Sequence, residues 1–400
     1  MAQWTPMRWP HDWTDPTLLD LLQGSAIDSL LIDSGDELRA VRARAQELGF
    51  LQRRDAMIAK GEFPGVRMAR GSRATSAGPT GVPWVNTNGW LIRLHKALHP
   101  GAEVWVDAPA PTGTRSYLMA VADSAAHGGR WIVSLDDEFA GALRDRQPAA
   151  LDRWKTLASA TMFFAQRQEW STYTAISGVG VVSDFSGSNE FFSHELLNLL
   201  ARTGLHSRIL PKDRTLDLGS LRALIYPDAE PPAATVRKRI LGFVQSGGTL
   251  ITGPKWGDIP GVPSKGDDHP RFAWRALGKG RIAMAHEPPS DPYEWASDSA
   301  VVVSHRYDLV RFWNGGATGS YVAASANRRQ TVAHLLFYAD RGPDQASVRI
   351  AGRYRAANAW TVEGPLEVHT ETVPHAIEIH LPQVSQYVAL ELSDALSSNP

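Results

Sequence analysis

Gly178-Val-Gly-Val-Val-Ser-Asp184 is a short apolar run ending in polar residues, followed by Phe185-Ser-Gly-Ser-Asn189 and then by a helical pattern from Glu190 to Thr203. An apolar block followed by apolar residues at helical spacing reads as a strand, a loop and a helix. The alternation continues downstream. His206–Leu210 fits a second strand, and Leu221–Tyr226 a third that ends at Pro227-Asp228. A helix follows from Ala233 to Gln245, with Val236, Ile240, Leu241 and Val244 on one face. Gly247-Gly248 then opens the strand Thr249–Thr252. Strands alternating with helices imply parallel pairing through right-handed crossovers, so residues 173–292 are expected to form a doubly wound α/β domain.

Working outward, the pattern changes toward the C-terminus. Val301–His305, Leu309–Trp313, Tyr321–Ala324, Thr331–Tyr338, Ser347–Ile350, Ala357–Thr361, Ala376–His380 and Gln386–Leu392 are short β-rich segments separated by turn residues such as Asp340-Arg-Gly-Pro343. A small antiparallel β-sandwich is the expectation for residues 293–400. Toward the N-terminus, Ile27-Asp-Ser-Leu-Leu-Ile-Asp33 reads as a strand, and Asp36–Leu48 as a helix with Leu38, Val41 and Ala45 on one face. Gly65–Met68, Val82–Asn86, Glu103–Asp107 and Trp131–Leu135 are further candidate strands, with helices at Tyr117–Ala126 and Leu151–Gln166. Residues 1–172 are therefore again α/β. A complete eightfold (β/α) barrel takes about 250 residues, so this segment is either a short or incomplete barrel-type domain or another open sheet.

The run from Gly178 through Ala223-Leu-Ile-Tyr-Pro227 to Phe243-Val-Gln-Ser-Gly-Gly-Thr-Leu-Ile-Thr-Gly253 resembles the flavodoxin-like, amidotransferase-like domain that follows the catalytic barrel in trimeric bacterial β-galactosidases. His334-Leu-Leu-Phe-Tyr338 and Val388-Ala-Leu-Glu-Leu392 are similar to paired strands of the small C-terminal sandwich in barrel glycosidases. This resemblance implies a glycoside hydrolase-like protein in three parts, with a carbohydrate ligand and with copies associating as a homo-oligomer through the middle domain. The chain departs from the family in two ways. It has no cysteine, so the nucleophile of an amidotransferase is absent. Barrel glycosidases of that kind place glutamates at two strand ends, whereas here only Glu138 lies near one.

Composition narrows the partners. The 41 basic and 42 acidic residues are spread along the chain and leave a net charge of −1, which gives no footprint for nucleic acid or a membrane surface. No stretch approaches the roughly twenty apolar residues that span a bilayer. Met1–Pro16 is polar, without the apolar centre of a secretion signal, so a soluble chain is expected, and export after removal of a signal is left open. Without cysteine the compartment cannot be read. The thirteen histidines form no cluster with carboxylates, so no metal and no cofactor are expected.

Functional groups of α/β architectures gather beyond the carboxyl ends of strands. Trp131-Ile-Val-Ser-Leu-Asp-Asp-Glu138 runs an apolar strand into three consecutive carboxylates. Crowding of that kind separates the pKa values of an acid and a base, though Asp136 or Asp137 equally suits a helix cap. Val104-Trp-Val-Asp107 places a second carboxylate at a strand end beside Trp105. Glycoside hydrolysis usually takes two carboxylates, and the candidate pair is Asp107 with Asp137, with Asp136 beside it. Trp84, Asn86, Asn88 and Trp90 combine stacking faces with amides, as a sugar site requires, although Asn88-Gly89 is also a turn signal. With Trp105 and Glu138 they complete the candidate ligand contacts. Asp184 and Glu190 suit capping or an interface. Two functions remain open: hydrolysis of a glycosidic bond by the carboxylate pair, or carbohydrate binding and scaffolding by a degenerate glycosidase architecture. A third, an enzyme acting on a sugar acid, would use Arg67, Arg70 and Arg73, a stretch that also reads as a solvated loop.

Overall fold

The computed structural model describes residues 5–51, 56–67, 85–264, 269–304, 308–339, 345–384 and 386–394. The chain forms two compact units, one of residues 1–174, 312–348 and 353–400 and one of residues 175–311 and 349–352.

The N-terminal part of the first unit begins with β1 (Thr5–Arg8), β2 (Ile27–Leu31) and β3 (Met57–Lys60). The two-residue strands β4 (Gly65–Val66) and β5 (Val85–Asn86) pair antiparallel, and β6 (Val104–Asp107), β7 (Arg130–Trp131) and β8 (Thr174–Ala175) follow. Helices α1 (Arg39–Glu47), α2 (Gly89–Leu98), α3 (Thr114–Ala126), α4 (Asp137–Arg144) and α5 (Pro148–Ala165) are interspersed. Pairing is parallel between β3 and β6, β6 and β7, and β1 and β2. Single bridges extend the row, because Arg8 N and Val133 O bond at 2.9 Å beyond β7, and Leu30 N bonds Leu51 O at 3.0 Å beyond β2. The spatial order is thus Leu51, β2, β1, the extension of β7, β6, β3, with the first strand of the chain next to the last of the α/β segment. All carboxyl ends consequently lie along one rim.

Tryptophan builds much of this core. Trp9, Trp13, Trp105, Trp131, Trp154 and Trp170 are buried. Several of the indole N–H groups find backbone partners, as burial of that ring demands: Trp9 donates to Trp13 O at 2.8 Å, Trp13 to Ala140 O at 3.1 Å and Trp154 to Leu21 O at 2.6 Å.

The second unit holds β9 (Val179–Ser183), β10 (Ser207–Pro211), β11 (Ala223–Tyr226), β12 (Thr249–Thr252), β13 (Val262–Pro263), β14 (Phe272–Leu277) and β15 (Gly280–Ala285), with helices α6 (Glu190–Arg202), α7 (Ala234–Gln245) and α8 (Pro292–Val303). Its sheet runs β10-β9-β11-β12-β15-β14-β13, parallel through the first five strands and antiparallel in the last two. The chain leaves β9 in one direction for β10 and in the other from β11 onward, so right-handed crossovers put α6 and α7 on opposite faces. Each residue of β11 is buried, as a strand covered on both sides requires. Leu224, Leu250 and Ile282 meet Ile240 and Val244 of α7.

One expected strand is corrected. Val301–Val303 closes helix α8, and His305 lies outside the described residues. Asp291 caps this helix through Tyr293 N at 2.8 Å and Pro292 sits in its first turn. Trp295, Ala296, Ser299, Ala300 and Val303 then fall on one buried face at helical spacing, which overrides the strand preference of three consecutive valines. The hairpin β14–β15, turned at Gly278, had no counterpart in the sequence reading.

The remaining strands are β16 (Val310–Trp313), β17 (Thr318–Ala324), β18 (Gln330–Phe337), β19 (Ala346–Ala351), β20 (Tyr354–Thr361), β21 (Gly364–Leu366), β22 (His369–Val373), β23 (Ala376–Leu381) and β24 (Tyr387–Asp394). β17, β18, β24, β20 and β21 pair antiparallel in that spatial order, and β22 with β23 form a hairpin. Within the first unit, Val332, Leu336, Tyr338, Tyr387 and Ala389 share one core with helices α3 and α5.

Candidate functional site

The rim at the carboxyl ends of β1, β3 and β6 gathers Arg8, Lys60 and Asp107, each the last residue of its strand. Arg8 Nη2 donates to Asp107 Oδ1 at 2.9 Å, and Lys60 Nζ donates to the other oxygen, Oδ2. The Asp107 side chain is 16% exposed, Arg8 49% and Lys60 84%, so an anchored carboxylate lies beneath two solvent-facing cations. Burial alone would raise the Asp107 pKa, but the hydrogen bond from Lys60 and the charge of Arg8 outweigh it and hold the carboxyl below its ordinary value. Asp107 is therefore an ionised group at neutral pH. The sequence reading missed both cations. Thr5-Pro-Met-Arg8 carries a proline and no alternation, and Met57-Ile-Ala-Lys60 likewise lacks alternation.

Asp136 is the N-cap of α4. Its Oδ1 accepts from Phe139 N at 2.9 Å, its Oδ2 accepts from the Tyr117 hydroxyl at 2.9 Å, and Arg153 Nη2 lies 3.5 Å from Oδ2. The Arg153 guanidinium rests 4.0 Å from the ring centroid of Phe139 and 4.8 Å from that of Tyr117. Asp137 and Glu138 stand in the first turn of α4 with exposed side chains. Asp107 and the Asp136–Glu138 group are thus brought to the same rim, at the ends of adjacent strands, since Ile132 N bonds Val106 O at 2.9 Å.

The amide and tryptophan candidates are placed otherwise. Trp105 is fully buried with its Nε1 lacking a hydrogen-bond partner, so it presents no open face. Asn88 is a buried clamp: its Oδ1 accepts from Glu62 N at 2.9 Å and its Nδ2 donates to Glu62 O at 2.8 Å. Asn86 is half-buried in β5 and Trp90 half-buried in α2. Trp84, Arg70 and Arg73 lie outside the described residues, and Arg67 is exposed.

In the second unit, the ends of β9, β10 and β11 carry Ser183, Asp184, Lys212 and Asp228, at the point where the strand order reverses. Lys212 Nζ bridges Asp184 Oδ2 at 2.6 Å and Asp228 Oδ2 at 2.7 Å, and the Ser183 hydroxyl donates to Asp228. Burial raises the Asp228 pKa against the pull of Lys212 and Ser183. For Lys212 burial acts to lower the pKa, yet the bonds to Asp184 and Asp228 prevail and raise it. These ion pairs stand at the switch point where open α/β sheets commonly take ligands. Glu190 is the first residue of α6, and Asp184 accepts from Asn189 Nδ2 at 3.1 Å.

No protein-family model matches the sequence, and no match is found among curated proteins. Solved structures do match in fold. The α-L-fucosidase isoenzyme 2 of Paenibacillus thiaminolyticus is similar over 91% of this chain and 68% of its own, at 11% identity and a TM-score of 0.53. A rhamnosidase from Novosphingobium sp. PP1Y is similar over 95% of this chain but 38% of its own, at 10% identity and a TM-score of 0.55. A β-galactosidase from Bacillus circulans sp. alkalophilus is similar over 76% and 58%, at 11% identity and a TM-score of 0.50. The chain spans between 38% and 68% of the length of these proteins. At such identities the likeness is one of architecture: the chain has a glycoside hydrolase-like fold, resembling that of bacterial β-galactosidases.

Proposed function

We propose that this chain binds a carbohydrate at the rim formed by Arg8, Lys60, Asp107 and the start of α4, on a reduced barrel in which Asp107 is held by ion pairs and, among the described residues, no second carboxylate is set up as a proton donor. The observation that carries this reading is the double ion pairing of Asp107. A carboxylate fixed between an arginine and a lysine, with both cations reaching solvent, offers charged donors and an acceptor to sugar hydroxyls. Hydrolysis needs in addition a carboxylic acid that keeps its proton, usually in apolar, water-poor surroundings. Asp136 is engaged by the helix cap and Tyr117, and Asp137 and Glu138 are solvent-exposed. The parallel neighbouring of β1 with the extension of β7 is the closure a sequential barrel makes, which supports the barrel reading of residues 1–172. Counted among the five parallel strands alone, the order β10-β9-β11-β12-β15 is second-first-third-fourth-fifth in chain sequence, as in flavodoxin-like sheets, and supports the amidotransferase-like reading of residues 173–292. The antiparallel strands that follow support a sandwich over residues 293–400. Association of copies through the middle domain follows from the same resemblance and is checked by light scattering.

Hydrolysis is the second reading, favoured by one feature. Asp107 is ionised, as a nucleophile or electrostatic stabiliser must be, with Asp137 at the neighbouring strand end as the proton donor. Aryl-glycoside turnover by the natural chain, beside Asp107→Asn and Asp137→Asn, separates the two. Binding alone gives no turnover in any of the three, and a rate lost on either substitution establishes hydrolysis.

A further inference from the structure

Within the first unit, helix α3 meets strands β17, β18 and β24 through a ladder of rings in which His127, His334 and Tyr387 are buried and Tyr321 is half-buried. The ring of His127, at the C-cap of α3, lies 5.0 Å from that of Tyr321, which stacks on His334 at 6.2 Å and an interplanar angle of 22°. His334 Nδ1 and the Tyr387 hydroxyl are hydrogen-bonded at 2.6 Å. His127 is 8% exposed and His334 1%. His127 Nδ1 faces the backbone oxygen of Asp123 at 2.8 Å, whereas the Asp123 carboxylate accepts from the Thr87 hydroxyl, Asn88 N and the Tyr338 hydroxyl at 2.7, 2.9 and 2.7 Å. The other groups around the ladder are Trp170 against His334, Arg93 over Tyr321, and Arg167 and Glu391 acting on Tyr387.

We propose that this ladder is an acid-sensitive latch: it holds β17, β18 and β24 on helix α3 while both imidazoles are neutral, and lets them part when the imidazoles take up protons. A buried ring with a single hydroxyl partner has no anion to offset a charge, and two imidazolium ions separated by one tyrosine repel each other. Burial, followed by the charge of His127, pushes His334 down to about 3. Burial also lowers His127, with Arg93 acting the same way and Asp123 against it. Both folded values lie below the ordinary 6.5, so the opened state takes protons more readily. The stability of the latch is full above about pH 6.5 and is lost as pH falls from there toward the folded values.

The test is hydrogen exchange on the full chain at pH 7.5 and 5.0, corrected for intrinsic rates, beside the double variant His127→Gln/His334→Gln. In the natural chain, protection of α3, β17 and β18 amides is expected to fall at least tenfold at the lower pH, and in the double variant to stay level. An equal fall in the double variant overturns the proposal. Should that variant not fold, the imidazole nitrogen shifts of the natural chain decide. Rings that remain neutral until the amides open support the latch, and rings that titrate near 6.5 with protection intact overturn it.

Discussion

Asp107, Asp136 and Asp228 are three aspartates that end or follow parallel strands, and each is held by a different set of donors. Asp107 carries two cations, and its lowered pKa means that its contribution to stability is present above about pH 4 and is lost as pH falls through the folded value. The gap in unfolding midpoint between the natural chain and Asp107→Asn is therefore expected to shrink between pH 7 and pH 3; an unchanged gap would show that the carboxylate makes no such contribution. Asp136→Ala removes the cap of α4, worth about 1 kcal/mol, and leaves the Tyr117 hydroxyl without its acceptor. A fall in melting temperature of a few degrees is the expected result of thermal unfolding followed by circular dichroism, and Asp136→Asn, which keeps a capping oxygen, should fall less. Asp228→Ala leaves Lys212 with one partner instead of two beside a buried hydroxyl, and a loss of about 3 kcal/mol in urea unfolding is expected. Lys212→Met/Asp228→Leu should recover part of that loss, because the buried carboxylate and its half-buried partner leave together; a double variant weaker than either single change would contradict the pairing.

Elements differed in how plainly their sequence spoke. β9 and β11 were legible because strands covered on both faces are written as largely apolar runs, β12 because Gly247-Gly248 opens it, and their connecting helices have periodic faces. β1 and β3 were hidden, with Pro6 in one and no alternation in the other, and with them went Arg8 and Lys60. Helix α8 was misread at its valine end because local preference yielded to a capped amphipathic turn. Asp107 and the cap at Asp136 were legible, since a strand end followed by polar residues is a sequence signal; the ion partners were not, since they come from strands distant in sequence. The β12–β15 pairing also rests on a close approach the sequence cannot display. A Cβ at Gly280 would lie 2.2 Å from the backbone oxygens of both Gly248 and Val244. Gly280→Ala is expected to destabilise the second unit by about 1–3 kcal/mol or more, read as an earlier fluorescence transition in denaturant, and a neutral change would show that this strand end is not tightly packed.

At the scale of the whole molecule, the architecture resembles that of glycoside hydrolases while spanning only part of their length, and fold by itself does not carry activity. The first unit brings the α/β segment and the C-terminal antiparallel strands into one core, and the second supplies a sheet whose switch point carries Lys212 paired with Asp184 and Asp228. No helix among the described residues is long and apolar enough to cross a membrane. These features concentrate the ligand question on the rim at Asp107. The most direct test is isothermal titration of the natural chain and of Arg8→Ala/Lys60→Ala with galactose, fucose and rhamnose glycosides, run beside an aryl-glycoside turnover assay. Saturable binding of one of these sugars, weakened at least tenfold in the double variant and unaccompanied by turnover, is the expected result. Binding that the double variant leaves unchanged, or turnover abolished by Asp107→Asn, would contradict it.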